Sequence, residues 1–264
     1  MTKRKKIALF SSMATIVAVI LLFVVFSKKP VCNEVIIEYQ KTDSVTYRIN
    51  QEVIKAILFK EYKNILGMPF NKIDLNRIES KIEEHPSVEN AEVYKKISGV
   101  LGVRVLFRTP IVRIITSSDQ QFYMDAYGFL MPLSDEGASR VVPANGTIVY
   151  KYPGVKINVV GNKDIPQQIK DIYEISKQIS ADQFLRAQIE QIYVNQKREY
   201  ELIPKVGDHV VLLGDVNRLD KKLKYLKHFY LNVMQSKGWR TYTAINLKFD
   251  NQIVCTKNSN NINN

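Results

Sequence analysis

The 264-residue chain predicts an α+β fold held behind a single amino-terminal apolar helix. Three observations lead there: a charge-free run over residues 7–26, a segment whose hydrophobic pattern reads strand, helix, helix, strand, strand, and a second half of short alternating strands punctuated by helices. At 45% hydrophobic and 24% charged residues, the chain has enough apolar surface for one large or two modest cores. That excludes a collagen-like, mucin-like or wholly disordered protein.

The apolar run comes first. Its twenty residues interrupt their hydrocarbon only with the hydroxyls of Ser11, Ser12 and Thr15, and as a helix it is about 30 Å long, the thickness of a bilayer core. Lys3, Arg4, Lys5 and Lys6 precede it and Lys28 and Lys29 follow, with no acidic residue in residues 1–29. Half of the formal charge of +12 therefore flanks one short segment. The positive-inside rule puts residues 1–6 in the cytoplasm and everything past Pro30 on the far side of the membrane. A cleaved signal peptide is the alternative. Its apolar region usually spans about 7–15 residues before a small-x-small site, whereas here Ser-Lys-Lys-Pro-Val-Cys follows.

Residues 35–39 are β-branched and aromatic, a strand. Asn50 caps a helix carrying Val53, Ile54, Ile57 and Leu58 at helical spacing, and Gly67-Met68-Pro69 breaks the pattern. Asp74 caps a second helix with Leu75, Ile78 and Ile82 on one face, ended by His85-Pro86. Residues 91–97 and 100–107 form two strands joined at Ser98-Gly99, which closes a small domain over residues 33–109.

Residues 110–256 predict a mostly antiparallel β domain with helices on one face. Strands are expected at 111–115, 121–125, 129–131, 189–195, 200–203 and 209–213, a helix at 169–179, and a loop at Pro143-Ala144-Asn145-Gly146. Asp215 should cap a long helix to about Lys237. Its stripe of Leu219, Leu223, Leu226, Tyr230 and Val233 faces a sheet, and Arg218, Lys221, Lys222, Lys224 and Lys227 lie opposite. A strand over 244–249, a turn at Asp250-Asn251-Gln252 and a last strand over 253–255 end the domain. Residues 257–264 hold one apolar side chain, Ile262, too little to offset the entropy of ordering, and are expected to be disordered.

Catalytic chemistry lacks its signatures. His85, His209 and His228 have no His or Cys neighbour at metal-ligand spacing, and no G-x-S-x-G, S-x-x-K, P-loop or G-x-G-x-x-G occurs. No metal, cofactor or active site is expected. Glu79, Glu83 and Glu84 read as a solvated helix face, Asp125 as a turn acid, and Trp239 as a core anchor. The basic helix face has no interleaved aromatics and lies outside the cytoplasm, which argues against nucleic acid. A Cys32–Cys255 disulfide would tie the chain's two ends together; burial of Cys255 as a small hydrophobe is preferred.

Four stretches carry a family resemblance. The helix through Ile82 followed by His85-Pro86-Ser87-Val88-Glu89-Asn90-Ala91-Glu92-Val93 resembles the polypeptide-transport-associated (POTRA) pattern. Phe107-Arg108-Thr109-Pro110-Ile111 resembles a Glu/Gln-Arg-x-Pro junction, with Phe107 in the usual polar place. Phe122-Tyr123-Met124-Asp125-Ala126-Tyr127-Gly128 resembles a Tyr-x-Asp-x-x-Gly strand-turn, and Ile245-Asn246-Leu247-Lys248-Phe249-Asp250-Asn251 a closing Ile-Asp-Leu-Arg-Tyr segment. Together they resemble the FtsQ/DivIB bitopic bacterial cell-division proteins.

That resemblance implies a non-enzymatic scaffold without cofactors. It would sit in the inner membrane at the division septum, hold FtsB-like and FtsL-like bitopic partners, and reach other divisome proteins through its POTRA-like domain. By position it assigns partner binding to Lys248, Phe249, Asn251, Ile253 and Val254; Asn246 and Lys248 stand where Asp and Arg are common. The rival reading is a POTRA-containing secretion or envelope-assembly factor, opposed by the single amino-terminal anchor and the absence of a long β-barrel region.

Overall fold

The computed structural model describes residues 15–19, 30–40, 50–134 and 137–259. Of the expected membrane anchor only residues 15–19 fall within that set, and they are helical and exposed; the remainder lies outside the described residues. Among the described residues no helix is long and apolar enough to cross a membrane.

The amino-terminal domain follows the expected order. β1 (Glu34–Tyr39) leads to α1 (Gln51–Glu61), α2 (Leu75–Glu83), β2 (Val88–Lys95) and β3 (Val100–Phe107). Both helices start where their caps predict. The Asn50 side chain accepts the Glu52 N–H, and Asp74 accepts that of Arg77, each satisfying an otherwise orphaned donor. β3 is central, parallel to β1 and antiparallel to β2. Ile54, Leu58, Ile78 and Ile82 bury against Leu101, Val103 and Val105 in one core. Cys32 joins that core as a free thiol, whose burial pushes its pKa up.

The second domain is one ten-stranded sheet in the order β13-β12-β11-β10-β9-β7-β4-β5-β6-β8. Its strands are β4 (Pro110–Ile115), β5 (Gln121–Asp125), β6 (Phe129–Met131), β7 (Val142–Gly146), β8 (Ile157–Asn158), β9 (Ile189–Val194), β10 (Tyr200–Pro204), β11 (Val210–Gly214), β12 (Tyr242–Asn246) and β13 (Val254–Lys257). Most neighbours run antiparallel, as expected; β4–β7, β7–β9 and β11–β12 are parallel. The helices are α3 (Gln167–Ala181), α4 (Gln183–Gln188) and α5 (Leu219–Phe229), which continues through a π-helical turn (Tyr230–Met234) into a last turn, α6 (Gln235–Lys237).

Several expectations need correction. The loop expected at Pro143 is a central strand: β7 pairs with β4 from Val142 onward, and its ladder to β9 starts only at Ala144. Proline's missing N–H is therefore tolerated at the strand entrance. Gly146 ends β7 at φ 101°, where a Cβ would lie 2.2 Å from the Val194 carbonyl oxygen. Asp215 does not cap α5. It accepts the Asn217 N–H in a tight turn, Arg218 takes a left-handed φ of 55°, and the helix begins at Leu219. The apolar stripe also shifts. The π turn inserts a residue into the helical repeat, so Met234 is fully buried and Val233 only half-buried. β12 stops at Asn246 because the Asn246 side chain accepts the Lys248 N–H and turns the chain out of the sheet. The last strand starts one residue later than expected and continues to Lys257, which pairs with Tyr242; residues 260–264 lie outside the described set. Cys255 is a free thiol that packs only partly against the main core.

The two domains share a seam. Along β5, Phe122 and Met124 enter the large core while Tyr123, between them, enters the amino-terminal core, joined there by Met131 of β6. This explains why β5 is buried on both faces. Arg108, at the junction, donates to Asp125 at 2.9 Å with both side chains almost fully buried, and its guanidinium lies 3.7 Å from the Phe129 ring centroid. The other Asp125 oxygen accepts the Tyr127 and Phe129 N–H groups, as a turn acid should. Asp125 thus serves the turn and the seam at once. Lys156 adds a hydrogen bond of 2.6 Å to the Glu83 carbonyl across the same boundary.

Candidate partner-binding edge

β13 lies at one end of the large sheet and, among the described residues, pairs with β12 alone. Its outer edge presents main-chain donors and acceptors, the template that strand addition requires. Val254 is 43% exposed and Phe249 49%, so apolar surface is available to a partner near the edge.

The five residues expected here divide into two groups. Phe249 and Asn251 line one small surface hollow with Arg218, Lys221 and Tyr225. Asn251 adopts φ 57° at the hairpin turn, a conformation asparagine tolerates, and Val254 follows on the strand. Lys248 instead turns back over Gly214 to Glu199, at 3.2 Å, and its hydrogen bond holds the Glu199 carboxyl below the usual range. Ile253 packs partly into the large core. These two residues hold the hairpin; the other three face outward.

Residues the sequence reading placed elsewhere build the platform beneath. Lys222, expected on a solvated face, is buried. Its ammonium donates to the Leu213 and Asp215 carbonyls and to the Asp215 carboxylate, at 2.8–3.0 Å. Burial alone would raise the Asp215 pKa, but the Lys222 and Asn217 hydrogen bonds outweigh it and hold the carboxyl low. Lys222 stands three residues after Leu219 and four before Leu226, so helical spacing places it on the apolar face, and that was the signal to read. Arg218 pairs with Asp250 in the hairpin turn, and Lys227 with Asp182 at 2.6 Å. Lys221 and Lys224 remain exposed.

The opposite treatment occurs at β2, an edge of the small sheet. Glu79 and Glu83, expected on a solvated face, reach from α2 to accept the N–H groups of Val93 (2.7 Å) and Ala91 (3.0 Å). Among the described residues no group of three or more His, Cys, Asp or Glu side chains converges as a metal site would. His209 is buried against Tyr230, His228 is exposed, and His85 accepts the Ser87 N–H.

The architecture defines a class: a small α+β module with a covered edge, fused through a buried ion pair to a β domain with an open one. A POTRA-like domain model matches residues 30–106, and a model described as "FtsQ/DivIB, C-terminal related" matches residues 109–256. The chain belongs to the FtsQ/DivIB family. It is similar to the "Cell division protein FtsQ" of Koribacter versatilis (strain Ellin345), 21% identical over 230 residues, which cover 83% of this chain and 61% of that protein.

Proposed function

We propose that the protein is a non-enzymatic scaffold of the bacterial division machinery, anchored in the inner membrane through residues 7–26 with its amino terminus in the cytoplasm. Its described domains face the periplasm at the septum and hold FtsB-like and FtsL-like bitopic partners. The observation that carries this reading is the outer edge of β13, unpaired among the described residues and flanked by exposed Phe249 and Val254. A partner strand would add there. Each main-chain hydrogen bond contributes roughly 0.5–1.5 kcal/mol net, so affinity needs the apolar contacts as well.

Val254→Lys, or truncation before Ile253, is expected to abolish binding of an FtsB-like partner by residues 30–264, with circular dichroism and melting temperature near wild type. Binding that survives with the fold intact would rule out the edge. The anchor is tested separately by mass spectrometry of the mature chain, which should begin at the native amino terminus and not after Phe26.

A further inference from the structure

A second candidate site lies far along the sheet from β13, at the entrances of the adjacent strands β4, β7 and β9. A groove of about 740 Å³ opens there beside the domain junction, within the size range of sites that take a small ligand or a short peptide. Its apolar wall comes from Ile111, Val142, Pro143, Ile179 and Ile189. Three cations stand around it: Arg140 before β7, Arg186 on α4 and Lys205 after β10. All three are exposed, and among the described residues none has a carboxylate partner, whereas Arg108, Arg218, Lys222 and Lys227 each have one. Glu190 is the one acidic residue of the lining. Ser176 is among the lining residues, and its hydroxyl is buried with no hydrogen-bond partner among the described residues.

We infer that this groove is a docking site for an acidic peptide segment of a partner protein, one that places an apolar side chain against the Ile179–Val142 wall and carboxylates on Arg140, Arg186 and Lys205. A single inorganic anion would leave most of the volume and the apolar wall unused, and a wholly apolar segment would leave three cations unanswered. The charge pattern selects a segment that carries both. β7 is paired on both sides, so this segment docks by side chains and not by strand addition, which makes the site different in kind from the β13 edge.

Random decapeptides displayed on phage and selected on the full-length chain in detergent, with Val254→Lys in place to silence the β13 edge, test this. Enriched sequences should combine Asp or Glu with a large aliphatic or aromatic residue. Arg140→Glu, Arg186→Glu and Lys205→Glu, made singly, should each weaken the best synthetic peptide about tenfold or more, and exchanging its acids for Lys should restore binding to the charge-reversed chains. All three side chains are exposed, so melting temperature should hold; if one variant loses its fold, the other two carry the test. No enrichment, a basic or purely apolar consensus, or affinity unmoved by charge reversal would overturn the proposal. So would equal competition by inorganic phosphate or by anionic lipid micelles, since either would assign the cations to a simple anion.

Discussion

The two domains end their sheets in opposite ways. At β2 the free edge is covered from its own domain, because α2 lies alongside and lends Glu79 and Glu83 as acceptors for the Val93 and Ala91 N–H groups. At β13 nothing described lies alongside, and Phe249 and Val254 stay exposed near the edge. An edge with carboxylates held across it has two of its donors already taken and repels a second strand's carbonyls, whereas a bare edge is a ready template. One molecule can thus keep one sheet to itself and offer the other, with the difference resting on a few side chains.

That contrast assumes the two sheets form one body, and the strongest way to break it is at the seam. Arg108→Met leaves the Asp125 carboxylate buried without its cation, which should destabilise the protein by about 3–5 kcal/mol. Adding Asp125→Asn should recover part of this, because the uncompensated charge is then gone. Denaturant unfolding followed by Trp239 fluorescence, and by hydrogen exchange in residues 88–95, should show both domains losing stability together. Separate transitions in the single variant would mean that the Arg108–Asp125 ion pair, and not the shared core around Tyr123 and Met131, makes the molecule one unit.

A smaller effect should follow from uncovering β2. Glu79→Ala with Glu83→Ala strips two acceptors from half-buried N–H groups and should cost about 1–3 kcal/mol in all. The sharper readout is association: sedimentation velocity of residues 30–264 should show concentration-dependent dimers in the double variant and monomers in the parent. Monomers in both would mean that the carboxylates satisfy donors without guarding an edge.

Local signals in the sequence located much of this, and the misses fall where a distant element decides. Asn50 and Asp74 act within one helical turn, so their caps were legible from neighbouring residues alone. β5 and its Asp125-to-Gly128 turn likewise depend on a few consecutive positions, and Gly128 takes the positive φ of 84° that such a turn needs. Pro143 was misread because its local chemistry is that of a loop; only the late start of the β9 ladder makes room for it. Arg108 stood out as a junction residue, but that it would be buried against Asp125 depends on how two domains meet. Glu79 and Glu83 looked solvated because acceptors for an edge are invisible until the edge is placed. Phe249, Asn251 and Val254 come together at the β13 hairpin for a simpler reason: they fall within six consecutive residues, so no distant element is needed to place them on one turn.

The smallest expected effect separates the supports of the two edges. His209, beside β11, is buried; its Nε2 lies 2.9 Å from the hydroxyl of Tyr230, whose ring stacks on Trp239, while its Nδ1 is buried with no partner among the described residues. Burial pushes its pKa below the ordinary value of 6.5, only partly opposed by the Asp208 charge. The unfolded chain therefore binds a proton more readily than the native one, so stability is complete above pH 6.5 and falls as pH drops below it toward the native pKa. The slope for this one group is at most about 1.4 kcal/mol per pH unit. The loss should be local first, because the imidazole supports α5, the π turn and the β11–β13 end of the sheet. Hydrogen exchange at pH 5.5 against pH 7.5, corrected for intrinsic rates, should show protection lost in residues 210–214 and 242–246 before residues 88–95. His209→Gln, which cannot take up a proton, should flatten that difference even if it lowers protection at both pH values. Equal loss at β2 in the parent would assign the pH response to the whole fold and remove the distinction between the two edges at acid pH.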